Sequence, residues 1–311
     1  MKTLNRTLMI KLLPLLFTLI IQSYTGSGRL FSQKLKEESW TFPKKDTLFL
    51  ETLGSTKFNI SGSNSGQIEI KLQYIAKPDE KFEVNEKPGA IYLKENILNY
   101  DSHRPTQTYF EEWTWIINVP NGTYIKCVGG SGDFEVKDFI GFFKADFGSG
   151  RFDFENIDGG IEISLAQMYA QIHNSKGTFR ISSAGGSVRA TDLTITGNSS
   201  FSSGMGSIKI SLARMPAADL YVCSSFNKVQ VSFNGHPVTG YFEFIAMADK
   251  GRIISPFKFD YMETFLDDIK SYQSTSDFGR KSEYDRKSFI RGDSKPKMVI
   301  KTVTGTAQLI K

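Results

Sequence analysis

The 311-residue sequence predicts an all-β fold: a single-stranded parallel β-helix (β-solenoid) with coils of about 18–21 residues. Three observations carry that expectation. Eleven of the 27 glycines open one five-residue phrase: glycine, any residue, apolar, any residue, apolar. In ten of the eleven the residue between the apolar positions is polar or charged, Tyr92 being the exception. The glycines at the centre of the chain also recur on two ladders with steps near 20 residues.

The phrase begins at Gly66 (GQIEI), Gly89 (GAIYL), Gly132 (GDFEV), Gly141 (GFFKA), Gly150 (GRFDF) and Gly159 (GGIEI). It returns at Gly177 (GTFRI), Gly186 (GSVRA), Gly206 (GSIKI), Gly240 (GYFEF) and Gly305 (GTAQL). Chance alone would give roughly four matches. Period-2 alternation makes each phrase a short strand with one face in a core and one in water. The glycine allows a tight entry.

One ladder runs through Gly132, Gly150, Gly186 and Gly206, with Met168 and Asn227 on the missing rungs. The second is expected through Gly141, Gly160, Gly177 and Gly197. Stacking on this period aligns Phe134, Phe152, Val188, Ile208 and Val229 in one inward row. Val136, Phe154, Ala190, Ile210 and Val231 form another. The rival, an antiparallel sandwich, would favour regular Asn-Gly hairpins. Only Asn121-Gly122 and Asn234-Gly235 fit that pattern.

Residues 34–128 read as less regular coils of the same kind, with an alternating strand in 105–120 ended by Pro120. Residues 259–284 break the pattern and are expected to project as a polar insertion, a loop or short helix. The final MVIKTVTGTAQLIK reads as a closing strand of the stack. No linker interrupts 34–311, so a single β-solenoid domain is expected there.

Residues 1–28 read as an export signal, with cleavage between 25 and 33. Lys2, Arg6 and Lys11 precede the apolar run Leu12–Ile21, which is short for a bilayer span. The first cysteine is Cys127, so no lipoprotein anchor on an N-terminal cysteine is expected. Removing the signal takes away basic residues from a formal charge of +5 and leaves a nearly neutral chain. No basic stripe for nucleic acid remains. After cleavage no integral membrane segment is expected.

Cys127 and Cys223 share a place in the repeat but lie about five rungs apart, or roughly 24 Å. That is too far for a disulfide. Two free, buried thiols are expected.

No catalytic, cofactor-binding or metal-binding residue emerges. His103, His173 and His236 lack partners at ligand spacing, and no GxSxG, HExxH or phosphate-loop motif occurs. Trp113 and Trp115 share a side with Ile117 and are expected in the core rather than on a sugar-stacking platform. The outward row Glu135, Asp153, Gln171, Arg189, Lys209 and Gln230 is the notable surface feature. It sets like charges on adjacent rungs, at Glu135–Asp153 and at Arg189–Lys209. The choice there is between a solvated face and a site for a cation or an anionic glycan.

The stretch from Ile117 to Val231 resembles exported bacterial β-solenoids that carry the label "putative adhesin", also described as auto-transporter adhesin head-like domains of Bacteroidetes type. The resemblance rests on NVPNGTYIKCVGGSGDFEV, on the GSG turns at 130–132 and 148–150, on FSSGMGSIKI, and on the closing TVTGTAQLIK. It implies a periplasmic or cell-surface location and transfers no site residues. The expected function is a non-catalytic envelope structural or binding protein, without cofactor, whose partner is a glycan or an envelope protein. The alternative is a polysaccharide lyase or hydrolase on a β-helix scaffold.

Overall fold

The computed structural model describes residues 34–97, 113–267 and 282–311; the expected signal segment lies outside them. The described residues form strands and no helix. In order they are β1 (Leu35–Pro43), β2 (Thr47–Thr52), β3 (Thr56–Ser63), β4 (Gln67–Ile75), β5 (Glu80–Lys87), β6 (Ala90–Ile97) and β7 (Thr114–Pro120). Four long strands follow: β8 (Tyr124–Lys137), β9 (Ile140–Glu155), β10 (Asp158–His173) and β11 (Lys176–Ile195). Shorter ones come next: β12 (Ser199–Ser203), β13 (Ile208–Leu212), β14 (Leu220–Ser224), β15 (Val229–Ser232) and β16 (Gly240–Met247). The last are β17 (Arg252–Ile254), β18 (Tyr261–Asp267), β19 (Ser282–Arg291), β20 (Lys297–Thr302) and β21 (Thr306–Ile310).

Parallel pairing builds two files. The first runs β6, β2, the leading halves of β8 to β11, then β12, β14, β20 and β16. The second runs β7, β3, the trailing halves of β8 to β11, then β13, β15, β21 and β17. Central partners lie 18 residues apart, as in Gly132↔Gly150 and Met168↔Gly186. Later steps lengthen to 20 and 21, as in Val188↔Ile208 and Ile208↔Val229.

The sheet as a whole is mixed, which corrects the expectation of parallel strands throughout. β5 lies antiparallel to β6, β4 to β7, and β1 to β4. At the other end β19 lies antiparallel to β16, and β18 to β19. For β5 and β6 the cause is local. Pro88-Gly89 joins them, with Gly89 at φ +75°, and so short a turn connects only antiparallel strands. Of the expected polar insertion, residues 268–281 lie outside the described residues. Its described flanks are the strands β18 and β19, not a loop or helix.

The chain end is also corrected. β20 and β21 do not close the stack. They sit one rung inside it, between β14 and β16 and between β15 and β17. β2 and β3 are likewise slotted between β8 and the pair β6 and β7.

The core is the inward rows. Phe134, Phe152, Val188, Ile208 and Val229 are all buried, as are Val136, Phe154, Ala190, Ile210 and Val231. Phe58 extends the first row through Phe134 to Phe152, their rings stacked at 4.7 and 5.0 Å. Equal register places equal side chains at the strand spacing, where flat rings fit face to face. The first glycine ladder holds its rungs at Gly132, Gly150, Met168 and Gly186. The second passes through Gly159, not Gly160. Gly141, Gly159 and Gly177 pair in register, whereas Gly160 faces Phe142 and Thr178. An added Cβ on Gly159 would overlap the carbonyl oxygen of Gly141. That close approach selects glycine at this rung.

Both cysteines are free, but they do not share a register. The row through Cys127 passes Ala145, Ile163, Ile181 and Phe201 and reaches Val222, not Cys223, on β14. Cys127 is buried. Cys223 is half-buried, one residue out of phase, and pairs with Lys301. Burial pushes both thiols up. Added reductant should therefore leave the thermal midpoint unchanged, and a thiol reagent should reach Cys223 before Cys127. A midpoint that falls with reductant would contradict two free thiols.

Candidate binding face

Because β8 to β11 keep an 18-residue register, residues of one parity stand in rows on the outward face of the second file. The expected row is present: Glu135↔Asp153, Asp153↔Gln171, Gln171↔Arg189, Arg189↔Lys209 and Lys209↔Gln230 are direct register partners. A second row lies two residues earlier: Asp133, Arg151, Tyr169 and Ser187, in register. Gln230 is buried and the rest of the first row is at least partly exposed.

The two ends of this face differ electrostatically. At the β8–β9 end the acids have partners. Lys137 Nζ is 2.6 Å from Glu135 and 3.6 Å from Glu155, and Arg151 Nε donates to Asp153 Oδ2 at 3.1 Å. The bond to Glu135 raises Lys137 above its usual range. The like-charge contact between Glu135 and Asp153 is thus relieved within the protein. At the β11–β15 end, Arg189, Lys209 and Lys228 have no acidic partner among the described residues. A shallow hollow lined by Asn59, Ile60, Ser61, Glu135 and Lys137 opens at the acidic end.

Other candidates fall elsewhere. Trp113 and Trp115 are each 1 % exposed, in the core as expected and unable to stack a sugar. His103 lies outside the described residues. His173 Nδ1 is 2.8 Å from Thr191 Oγ1, and His236 donates its backbone N–H to Phe233 in a turn. Among the described residues no three His, Cys, Asp or Glu side chains are grouped to hold a metal ion.

Two features escape a reading of the glycine phrase. Asp138, Asn156, Asn174 and Asp192 recur every 18 residues at corners, each with positive φ. Asn156 Nδ2 donates to Asp138 at 2.8 Å, and Asn174 Nδ2 donates to Asn156 at 2.7 Å, forming a ladder. Asn and Asp tolerate this backbone region better than other non-glycine residues. Their equal spacing was the available signal. The second is Glu95, 2 % exposed, whose carboxylate accepts from Thr52 Oγ1, Leu53 N, Thr56 Oγ1 and Trp115 Nε1.

No protein-family profile and no curated protein matches the chain. Solved structures that resemble it include a "putative adhesin" from Bacteroides fragilis NCTC 9343, at 11% identity and TM-score 0.47, covering 89% of this chain and 97% of that one. A "putative cell adhesion protein" from Clostridium sporogenes ATCC 15579 has 15% identity and TM-score 0.25, covering 89% and 99%. A "putative adhesin" from Parabacteroides distasonis ATCC 8503 has 12% identity and TM-score 0.39, covering 66% and 90%.

Proposed function

We propose that this is an exported, non-catalytic binding protein of the cell envelope, with residues 1–28 as its export signal and 34–311 as one domain. On this reading the two parallel files wind as a β-solenoid whose ends are finished by antiparallel strands. The resemblance of Ile117–Val231 to adhesin-labelled solenoids agrees with it. The protein acts as a rigid support that displays outward rows to a glycan or an envelope protein.

One observation carries the reading: the in-register row from Glu135 to Gln230, which presents unlike chemistry at its two ends on one outward face. A polar face of regularly spaced side chains suits binding. A polysaccharide-cutting enzyme needs an acid and a base converging on one bond. Here Asp153 and Glu135 are instead tied to Arg151 and Lys137.

The test incubates the purified protein with a panel of envelope and extracellular polysaccharides, reading binding and soluble fragments in the same wells. Binding without release is expected. Fragment release that disappears in Asp153→Ala and Arg189→Ala would replace this reading with the enzymatic one.

A further inference from the structure

Three cations on successive strands share one face. Arg189 on β11 pairs in register with Lys209 on β13. Lys228 precedes β15 by one residue, and its carbonyl accepts from Ile208 N at 3.0 Å, which places it opposite Ser207. All three are exposed. Arg189 and Lys209 are like charges on adjacent strands, an arrangement that is unfavourable until an anion joins it.

The ground beside them is shaped. Between Tyr169 and Lys228 the outward row carries only Ser187 and Ser207, whose hydroxyl oxygens are 3.2 Å apart. Tyr169 is 50 % exposed. Arg151 lies on one side of its ring, 5.7 Å from the centroid, and Ser187 is its register neighbour on the other. Two small serines between larger side chains in one row make this stretch, by side-chain size, a shallow trough. Two hydroxyls floor it, an aromatic ring and a lysine stand at its ends, and Arg189 and Lys209 run along its side.

We propose that this trough binds an acidic polysaccharide, one bearing uronate or sulfate groups, with the chain lying across the strands. The proposal rests on the binding reading above and names its ligand class. Adjacent strands are about 4.8 Å apart. That is close to the advance of one pyranose in an extended glycan, so anionic groups on successive sugars meet successive strands. Arg189 and Lys209 supply charge-assisted hydrogen bonds, Lys228 extends the cationic track, and the serine hydroxyls meet sugar hydroxyls. The half-exposed ring of Tyr169 offers an apolar surface to the C–H face of a sugar. The acidic end, with Glu135, Asp153 and Glu155, repels the same ligand and fixes how far it extends.

The full chain is titrated with polygalacturonate, dextran sulfate and neutral dextran, at low salt and at high salt. Saturable binding of the two acidic polymers that weakens with salt is expected, and none to dextran. The triple variant Arg189→Ala/Lys209→Ala/Lys228→Ala should bind about tenfold more weakly. Tyr169→Ala should weaken polysaccharide binding yet leave that of inorganic polyphosphate, which has no sugar, unchanged. Lys87→Ala/Lys126→Ala, with Lys87 on β5 and Lys126 on the first file, should behave as wild type. Thermal midpoints check each fold, and Gln at the same three positions is a second charge-removing set.

Equal binding by wild type and triple variant overturns the proposal and leaves the binding reading standing. So does binding confined to other panel members. Tighter binding of single-stranded DNA or anionic vesicles, indifferent to Tyr169→Ala, also overturns it. Fragment release overturns the reading on which it rests.

Discussion

Replacing Gly177 with alanine should destabilise the protein by about 3 kcal/mol or more, among the larger effects of a single methyl group. Gly177 sits at φ +149° in register with Gly159, and a Cβ there would overlap the Gly159 carbonyl oxygen. Neither cost can be relieved alone. Moving the strand away breaks its pairing to β10, and staying forces the clash. Gly66→Ala is the matched control. It opens the same sequence phrase, yet its Cβ would meet nothing within 4 Å. It should fall within about 0.5 kcal/mol of wild type. Urea unfolding of the two variants measures the contrast. Similar midpoints for both would mean the ladder tolerates a side chain at Gly177.

Glu95→Ala should cost about 2–4 kcal/mol, because the Thr56 hydroxyl and the Trp115 indole N–H lose their acceptor in the core. Glu95→Gln exposes the accompanying pH dependence. Burial raises the Glu95 carboxyl above its usual value of 4.5, opposed by hydrogen bonds from Thr52, Thr56, Leu53 and Trp115. The folded state therefore holds the proton more firmly than the unfolded chain does. Its contribution to stability is complete below pH 4.5 and is lost as pH rises through the higher folded value. The stability difference between wild type and Glu95→Gln should accordingly shift in favour of the glutamine variant as pH rises above 4.5. Denaturant titrations at several pH values test it. A difference that does not move with pH would show that Glu95 binds its proton equally in the folded and unfolded chain, contradicting the raised carboxyl.

The inward rows were legible because each phrase marks its own parity and the period repeats. Phe134 and Phe152 needed no other information. Strand direction was not legible, since alternation reads the same in parallel and antiparallel pairs. Only the connection decides, as Pro88-Gly89 does for β5 and β6. The choice of Gly160 over Gly159 was a one-residue slip between consecutive glycines. The backbone contact of Gly159 with Gly141 resolves it. Glu95 was hidden by its charge, although it continues the inward parity of Ile91 and Leu93. The row from Glu135 to Gln230 was legible as a row. Which cations lack acids was not, because Lys137 and Arg151 reach their partners by side-chain rotamers that spacing does not encode.

The slotting of β20 and β21 between earlier strands has a mechanical consequence. A repeat array whose last strand lay outermost could be peeled from its terminus one hydrogen bond at a time. Here a pull on the C-terminus acts on strands bonded on both flanks, to β14 and β16 and to β15 and β17. Both ladders are then loaded in shear, and many bonds must fail together. β2 and β3 are held in the same manner near the other end. Tension applied through the C-terminus is thus met by a clasp latched by a segment distant in sequence from the strands it fastens, whereas β1, bonded among the described strands to β4 alone, is an edge that a pull from the other side can peel.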